Sequence, residues 1–176
     1  MPRTLPYGHG RTPPSDELSR LEAQLRAAFG GPAWHGPAIL ELLRDVTPEE
    51  AAAHPIAGAH SIWELVLHLT GTYDLVLRRM RGDAKPLGPE EDWPPIPKPT
   101  ETTWKETVAA LRGRNEAMRS AVLRFDVARL GKPLVLEPPY TAYEQFIGLT
   151  QHDLYHAGQI ALLKRALRGE AQPAQG

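Results

Sequence analysis

Two histidines stand four residues apart in "QHDLYHAGQI", residues 151–160, at His152 and His156. On a helix that spacing puts both rings on one face, about 40° apart. Gln145, Leu149, Gln159, Leu163 and Leu167 fall on the same side, whereas Lys164, Arg165 and Arg168 lie away from it. The histidines therefore occupy core-facing positions that the apolar pattern would otherwise give to leucine. An unpaired polar group in a core costs about 1–3 kcal/mol, so two adjacent imidazoles need partners, and a single cation satisfies both. Two side chains hold a metal weakly, and a third ligand is expected from a facing helix. His68 is best placed, at the inward edge of the apolar face made by Ile62, Leu65, Leu69, Tyr73 and Val76. Three neutral imidazoles leave a coordination position open to water or substrate, as in catalytic sites. Zinc is the first expectation and nickel the next, because imidazole suits both.

Other chemistries fit the residues less well. "HDLYH" approximates the zinc-protease pattern H-E-x-x-H, but Asp153 stands where glutamate would act as general base. The acid that follows, Glu170, lies beyond the expected helix end, so a downstream ligand is missing. Repeated Glu-x-x-His pairs on inward faces, which a di-iron bundle needs, are absent from the sequence. There are no cysteines, which removes thiolate ligands, disulfides and a protein thiol nucleophile. Lys and Arg number 20 against 21 Asp and Glu, so no broad basic field exists for nucleic acid, and the arginines of the third long helix read as a solvated face. His9, His35, His54 and His60 fall in loops or near helix starts. His35 and His60 remain weak candidates for a pocket, together with Trp34, Tyr155 and Gln159; Trp34 also suits a plug at the bundle end, and Gln159 a core hydrogen bond.

Four substantial helices are expected to position these groups. The first runs from Ser15 through Leu18, Leu21, Leu25 and Phe29 to "GGP" at 30–32. A shorter helical segment carries Ile39, Leu42, Leu43 and Val46, and "TPEEAAA" begins another turn. The second long helix starts at the capping box Ser61–Glu64 and ends at Gly82. Residues 82–102 hold six prolines and read as a long crossing connection without an element of its own. Thr103–Glu106 has capping-box spacing and is expected to open the third long helix, with Trp104, Val108, Leu111, Met118, Val122 and Phe125 inward. Thr141–Glu144 opens the fourth, which runs to about Leu167 before Gly169. "KPLVLE" is the best candidate for a strand but has nothing to pair with.

The fold class is thus all-α, a four-helix bundle with a long crossover between helices two and three. The expected organisation is a flexible arm over 1–14, one bundle over 15–168 and a flexible tail over 169–176. No run approaches the roughly 18 apolar residues of a membrane span, and the first residues lack the apolar stretch of a signal peptide. A cytoplasmic protein with no membrane or nucleic-acid partner is the expectation.

The ordered set "AWHGPAILELL", "HPIAGAHSIWELVLHL" and "QHDLYHAGQIALLK" resembles the DinB/YfiT-like family of damage-inducible, metal-dependent bacterial proteins, over about residues 15–168. The resemblance implies an up-up-down-down bundle, usually dimeric, with a divalent metal on three histidines that map to His68, His152 and His156. At superfamily level it implies S-transfer chemistry with a low-molecular-weight thiol such as bacillithiol or mycothiol, which would supply the sulfur this chain lacks. The competing expectation is a non-catalytic, metal-stabilised, stress-related dimeric interaction protein, its second copy packed on the strip of Ile147, Leu154 and Ala161.

Overall fold

The computed structural model describes residues 17–169. The arm expected over 1–14 lies outside them, as does the tail expected over 169–176 apart from Gly169. Every regular element among the described residues is helical: α1 (Glu17–Gly30), α2 (Ile39–Leu43), α3 (Pro48–Ala52), α4 (Ile62–Met80), α5 (Pro89–Asp92), α6 (Glu101–Leu123), a 3₁₀ turn (Val127–Arg129) and α7 (Ala142–Arg168). The four long helices close a ring of packing contacts, with α4 and α1 each touching both α6 and α7.

Local chemistry sets the helix starts. The Ser61 hydroxyl accepts the Glu64 N–H at 3.2 Å while the Glu64 carboxylate accepts the Ser61 N–H at 2.7 Å, the reciprocal pairing that opens α4. Thr141 and Glu144 repeat it for α7. α6 corrects the expected boundary: its cap is Thr100, whose hydroxyl accepts the Thr103 N–H, so Thr103 and Glu106 lie inside the helix. The crossover also differs from expectation, because its proline- and acid-rich middle forms the single turn α5, with Pro89 in the first turn where its missing N–H costs nothing. "KPLVLE" forms no strand; Leu134 and Val135 are buried, and one isolated bridge joins Pro133 to Thr141.

Tryptophans fix the middle of the core. Trp63 and Trp104 lie 5.0 Å apart by ring centroid, with Trp63 Nε1 donating to Thr107 Oγ1 and Trp104 Nε1 to the Val46 carbonyl, so both indoles are buried with their polar atoms satisfied. Of the arginines expected on a solvated face of α6, Arg112, Arg114 and Arg124 are exposed, Arg114 while binding Asp74 of α4 at 3.0 Å, and the half-buried Arg119 binds Glu22 of α1 at 2.6 Å. No described helix is long and apolar enough to cross a membrane.

Candidate metal centre

α4 and α7 run side by side and bring His68 against His152 and His156. Ligand atoms of the three all lie within 4.8 Å of one another, the one such grouping of three or more potential ligands among the described residues. Nε2 of His152 is 3.0 Å from Nε2 of His68 and 3.1 Å from Nε2 of His156. A tetrahedral zinc at its usual bond length of about 2.0–2.1 Å separates ligand nitrogens by about 3.3 Å, so small ring movements accommodate it.

The outward-facing nitrogens decide which atoms are free. His68 Nδ1 lies 2.9 Å from the Asp92 carboxylate and 3.1 Å from the Asp92 carbonyl. His156 Nδ1 lies 2.8 Å from Gln159 Oε1. Both partners only accept, so both rings carry their hydrogen on Nδ1 and turn a bare Nε2 lone pair inward. His152 Nε2 carries at most one hydrogen and can serve one of these lone pairs, leaving the other contact lone pair against lone pair. His152 Nδ1 is buried without a partner and offers no relief. A cation at the centre removes the conflict for all three nitrogens at once. Outer-shell carboxylates and carbonyls on ligand imidazoles serve the same orienting purpose in metal sites generally.

Electrostatics favour the ligand form of the rings. Burial, helped by the neighbouring His156 and His68, pushes His152 down to about 3. Burial also lowers His156, partly offset by its bond to Gln159. Both stay neutral at physiological pH, as ligation requires.

The crossover completes the wall. Trp93 lies parallel to His68 at 4.1 Å between centroids and parallel to His60 on its other side at 3.6 Å. His60 thus reaches the edge of the centre through an indole and does not touch the cluster itself. Tyr155 sets its ring edge-on to His156 at 5.0 Å and is largely exposed, while Gln159 holds His156 directly. Trp34 and His35 are placed apart: Trp34 is 97% exposed with its ring against His35, so it plugs nothing, and His35 lines a different cavity with Leu154 and Ala157. The turn there carries Gly36 at φ +138°, a backbone angle that favours glycine.

Asp92 and Trp93 were not identifiable from spacing, since they belong to an aperiodic, proline-rich stretch; the one local signal is "EEDW", an acid beside an aromatic in an otherwise proline-dominated segment. Asp153, which stands at the protease-base position, faces the other way. It is buried and accepts the Tyr73 hydroxyl at 2.6 Å, and that oxygen in turn accepts from Asn115 Nδ2 at 2.9 Å. Burial pushes Asp153 up to about 7. A cavity of about 790 Å³ lies by Arg44, Thr47 and Trp104 and includes none of the three histidines.

A family model described as the DinB superfamily matches residues 33–160, which include all three histidines. No curated protein and no solved structure matches the chain.

Proposed function

The chain belongs to the DinB superfamily, and from that premise we propose that it is a metal-dependent enzyme whose His68, His152 and His156 hold one divalent cation with a coordination position left for a small-molecule thiol or water. The observation that carries this reading is the convergence of three Nε2 atoms, with contacts of 3.0 and 3.1 Å, while Asp92, the carboxylate that pairs with the group among the described residues, is turned to the far nitrogen of His68. No fourth ligand joins the group among the described residues.

The cation, when bound, supplies a positive charge that lowers the pKa of a thiol or water and makes it a nucleophile near neutral pH. Asp92 and Gln159 hold the ligand rings in the tautomer that binds. Trp93 covers one face of His68 and excludes water from it. Zinc is the first candidate and nickel the second. The absence of cysteine from the chain suits a reaction whose sulfur arrives on a low-molecular-weight thiol such as bacillithiol, in S-transfer to an electrophilic substrate. The closed ring of long helices supports an up-up-down-down four-helix bundle, and a cytoplasmic setting goes with the reading.

The test is metal analysis of protein prepared without a histidine tag, followed by thiol-dependent consumption of an electrophile such as a monohalobimane. One equivalent of zinc or nickel, lost in His156→Ala with the fold retained, and turnover that disappears with the metal support the reading. A fully occupied cation that binds no thiol and promotes no reaction overturns the enzymatic part.

The exposed Trp34 and the half-buried strip of Ile147, Leu154 and Ala161 support a second reading, a metal-stabilised, stress-related homodimer without turnover. Large exposed aromatics are enriched where subunits meet. Solution mass that halves on Trp34→Glu, together with the absence of turnover, favours it.

A further inference from the structure

Beside the metal centre, between α4 and the first half of α7, lies a cavity of about 510 Å³. Its walls include Leu75, Val76, Ile147 and Leu149; at one end is His152 and at the other Arg79. Gln145 and His152 are seven residues apart on α7, so the two ends are separated by about 10 Å at 1.5 Å per residue.

Arg79 is an unusual residue to find there. One amino group donates to Gln145 Oε1 at 3.1 Å, and Gln145 is itself fixed by donating to the Tyr140 carbonyl at 3.1 Å. Arg79 Nε is buried with no partner. No carboxylate among the described residues lies within ion-pair distance of it. Glu144, the acid on the same cavity wall, is already committed to the cap of α7, where its oxygen accepts from both the N–H and the hydroxyl of Thr141 at 2.7 Å. The charge on Arg78 lies next to it and adds to the positive potential, and Arg78 is itself turned toward Glu91 at 3.4 Å. A half-buried guanidinium that has an oriented fork, an unused N–H and no counter-charge is complementary to an anion with two oxygens in a plane. The apolar walls between Arg79 and His152 complete a binding site with one charged end, a greasy middle and a metal end, the usual make-up of a small-molecule pocket.

We propose that this cavity binds an elongated organic carboxylate, its carboxylate on Arg79, its apolar body against Leu75, Val76 and Ile147, and its reactive end about 10 Å away at the open coordination position beside His152. Only the last of these three contacts rests on the metal reading of the histidines. Arg79 is a specificity determinant that selects anionic substrates or cofactors and fixes their direction, with Gln145 as its positioning residue.

The experiment measures binding of octanoate and of octanamide, its neutral counterpart of equal length, to the full-length metal-free protein by calorimetry. Octanoate is expected to bind at least about tenfold tighter than octanamide, a preference lost in Arg79→Met and partly kept in Arg79→Lys. Circular dichroism melts check that these variants fold; the lysine variant keeps the test decisive if the methionine variant does not. Equal affinity for acid and amide, no binding of either, or a preference that survives in Arg79→Met overturns the proposal. The metal end is read separately with suberate, whose second carboxylate reaches the far end of the cavity. It is expected to gain affinity over octanoate in zinc-loaded protein and to gain nothing in His156→Ala; no gain in the zinc-loaded protein overturns the span to the metal. A chain that takes up no zinc but prefers octanoate through Arg79 refutes the metal reading and leaves the anion site standing, so the two failures are distinguishable.

Discussion

Gly71 lies directly under the backbone carbonyl of Glu91: a Cβ built on the glycine would stand 2.8 Å from that oxygen. The missing side chain lets α5 settle onto α4 one turn beyond His68. That approach carries Asp92 to His68 Nδ1 and Trp93 onto the His68 ring. The orientation of His68 thus depends on a glycine three residues further along the same helix.

Gly71→Ala is therefore expected to push the α5 turn away and release His68 from Asp92. Loss of an outer partner typically weakens a metal site by about 10–100-fold, and Asp92→Ala should do the same directly. Gly113→Ala on α6, where a Cβ meets open space, serves as control and should stabilise the fold by about 0.5–1 kcal/mol without changing affinity. Competition with a chromophoric zinc chelator measures all three. Wild-type affinity in Gly71→Ala would show that the strap does not orient the ligand.

Gln159 holds the corresponding place on α7. Its Oε1 accepts the His156 Nδ1 hydrogen at 2.8 Å and keeps Nε2 bare. Gln159→Leu fills similar volume but accepts nothing, so His156 becomes free to take its other tautomer. Zinc affinity should fall by about tenfold or more, while Gln159→Glu, which still accepts, should bind at least as well as the parent chain. The same chelator competition reads the result, with melting curves to confirm that neither variant has lost its core.

Metal binding to the folded chain alone must raise its stability. Zinc at about a hundred times its dissociation constant adds about 2.7 kcal/mol, which for a chain of this size raises Tm by several degrees. His156→Ala should abolish the increment, and a chelator should return the parent protein to its metal-free melting curve. A Tm insensitive to zinc would contradict closure of the three Nε2 atoms on a cation.

The helices that carry the histidines were legible because burial leaves a periodic signature. His152 and His156 sit at positions where leucine would be expected, and Ser61–Glu64 and Thr141–Glu144 announce the starts of the helices that bear all three rings. The α6 start is ambiguous in the sequence because Thr100 and Thr103 both offer a hydroxyl within one turn, and the geometry of Thr100, extended at φ −145°, decides between them. Asp92 and Trp93 were illegible for a different reason. Their positions depend on how a long connection folds back, which the close approach at Gly71 sets and no period along the chain encodes. Trp34 shows the converse, since an aromatic beside a histidine near a helix start is a fair pocket candidate by sequence, whereas its side chain stands in solvent.

Tyr73 and Asp153 give the chain a pH dependence that can be isolated. Burial raises Asp153 from 3.8 to about 7, so between these values the folded state keeps the proton and the unfolded state has released it. A carboxyl raised in this way stabilises the fold fully below 3.8, and the contribution declines as pH rises through about 7. Asp153→Asn does not titrate and still meets the Tyr73 hydroxyl, so its stability relative to the parent should climb across that window by on the order of a few kcal/mol and level off above it. Taking the difference at each pH removes the contribution of His152, which runs in the opposite sense: its lowered value stabilises the fold above 6.5, and that stabilisation is lost as pH falls. Tyr73→Phe strips the donor from Asp153 and the acceptor from Asn115, at a cost of about 1–3 kcal/mol. Urea melts of the metal-free proteins from pH 4 to pH 8 test both. A constant difference between Asp153→Asn and the parent would mean that the carboxyl is ionised throughout, with the Tyr73 hydroxyl sufficient to hold its charge in the core.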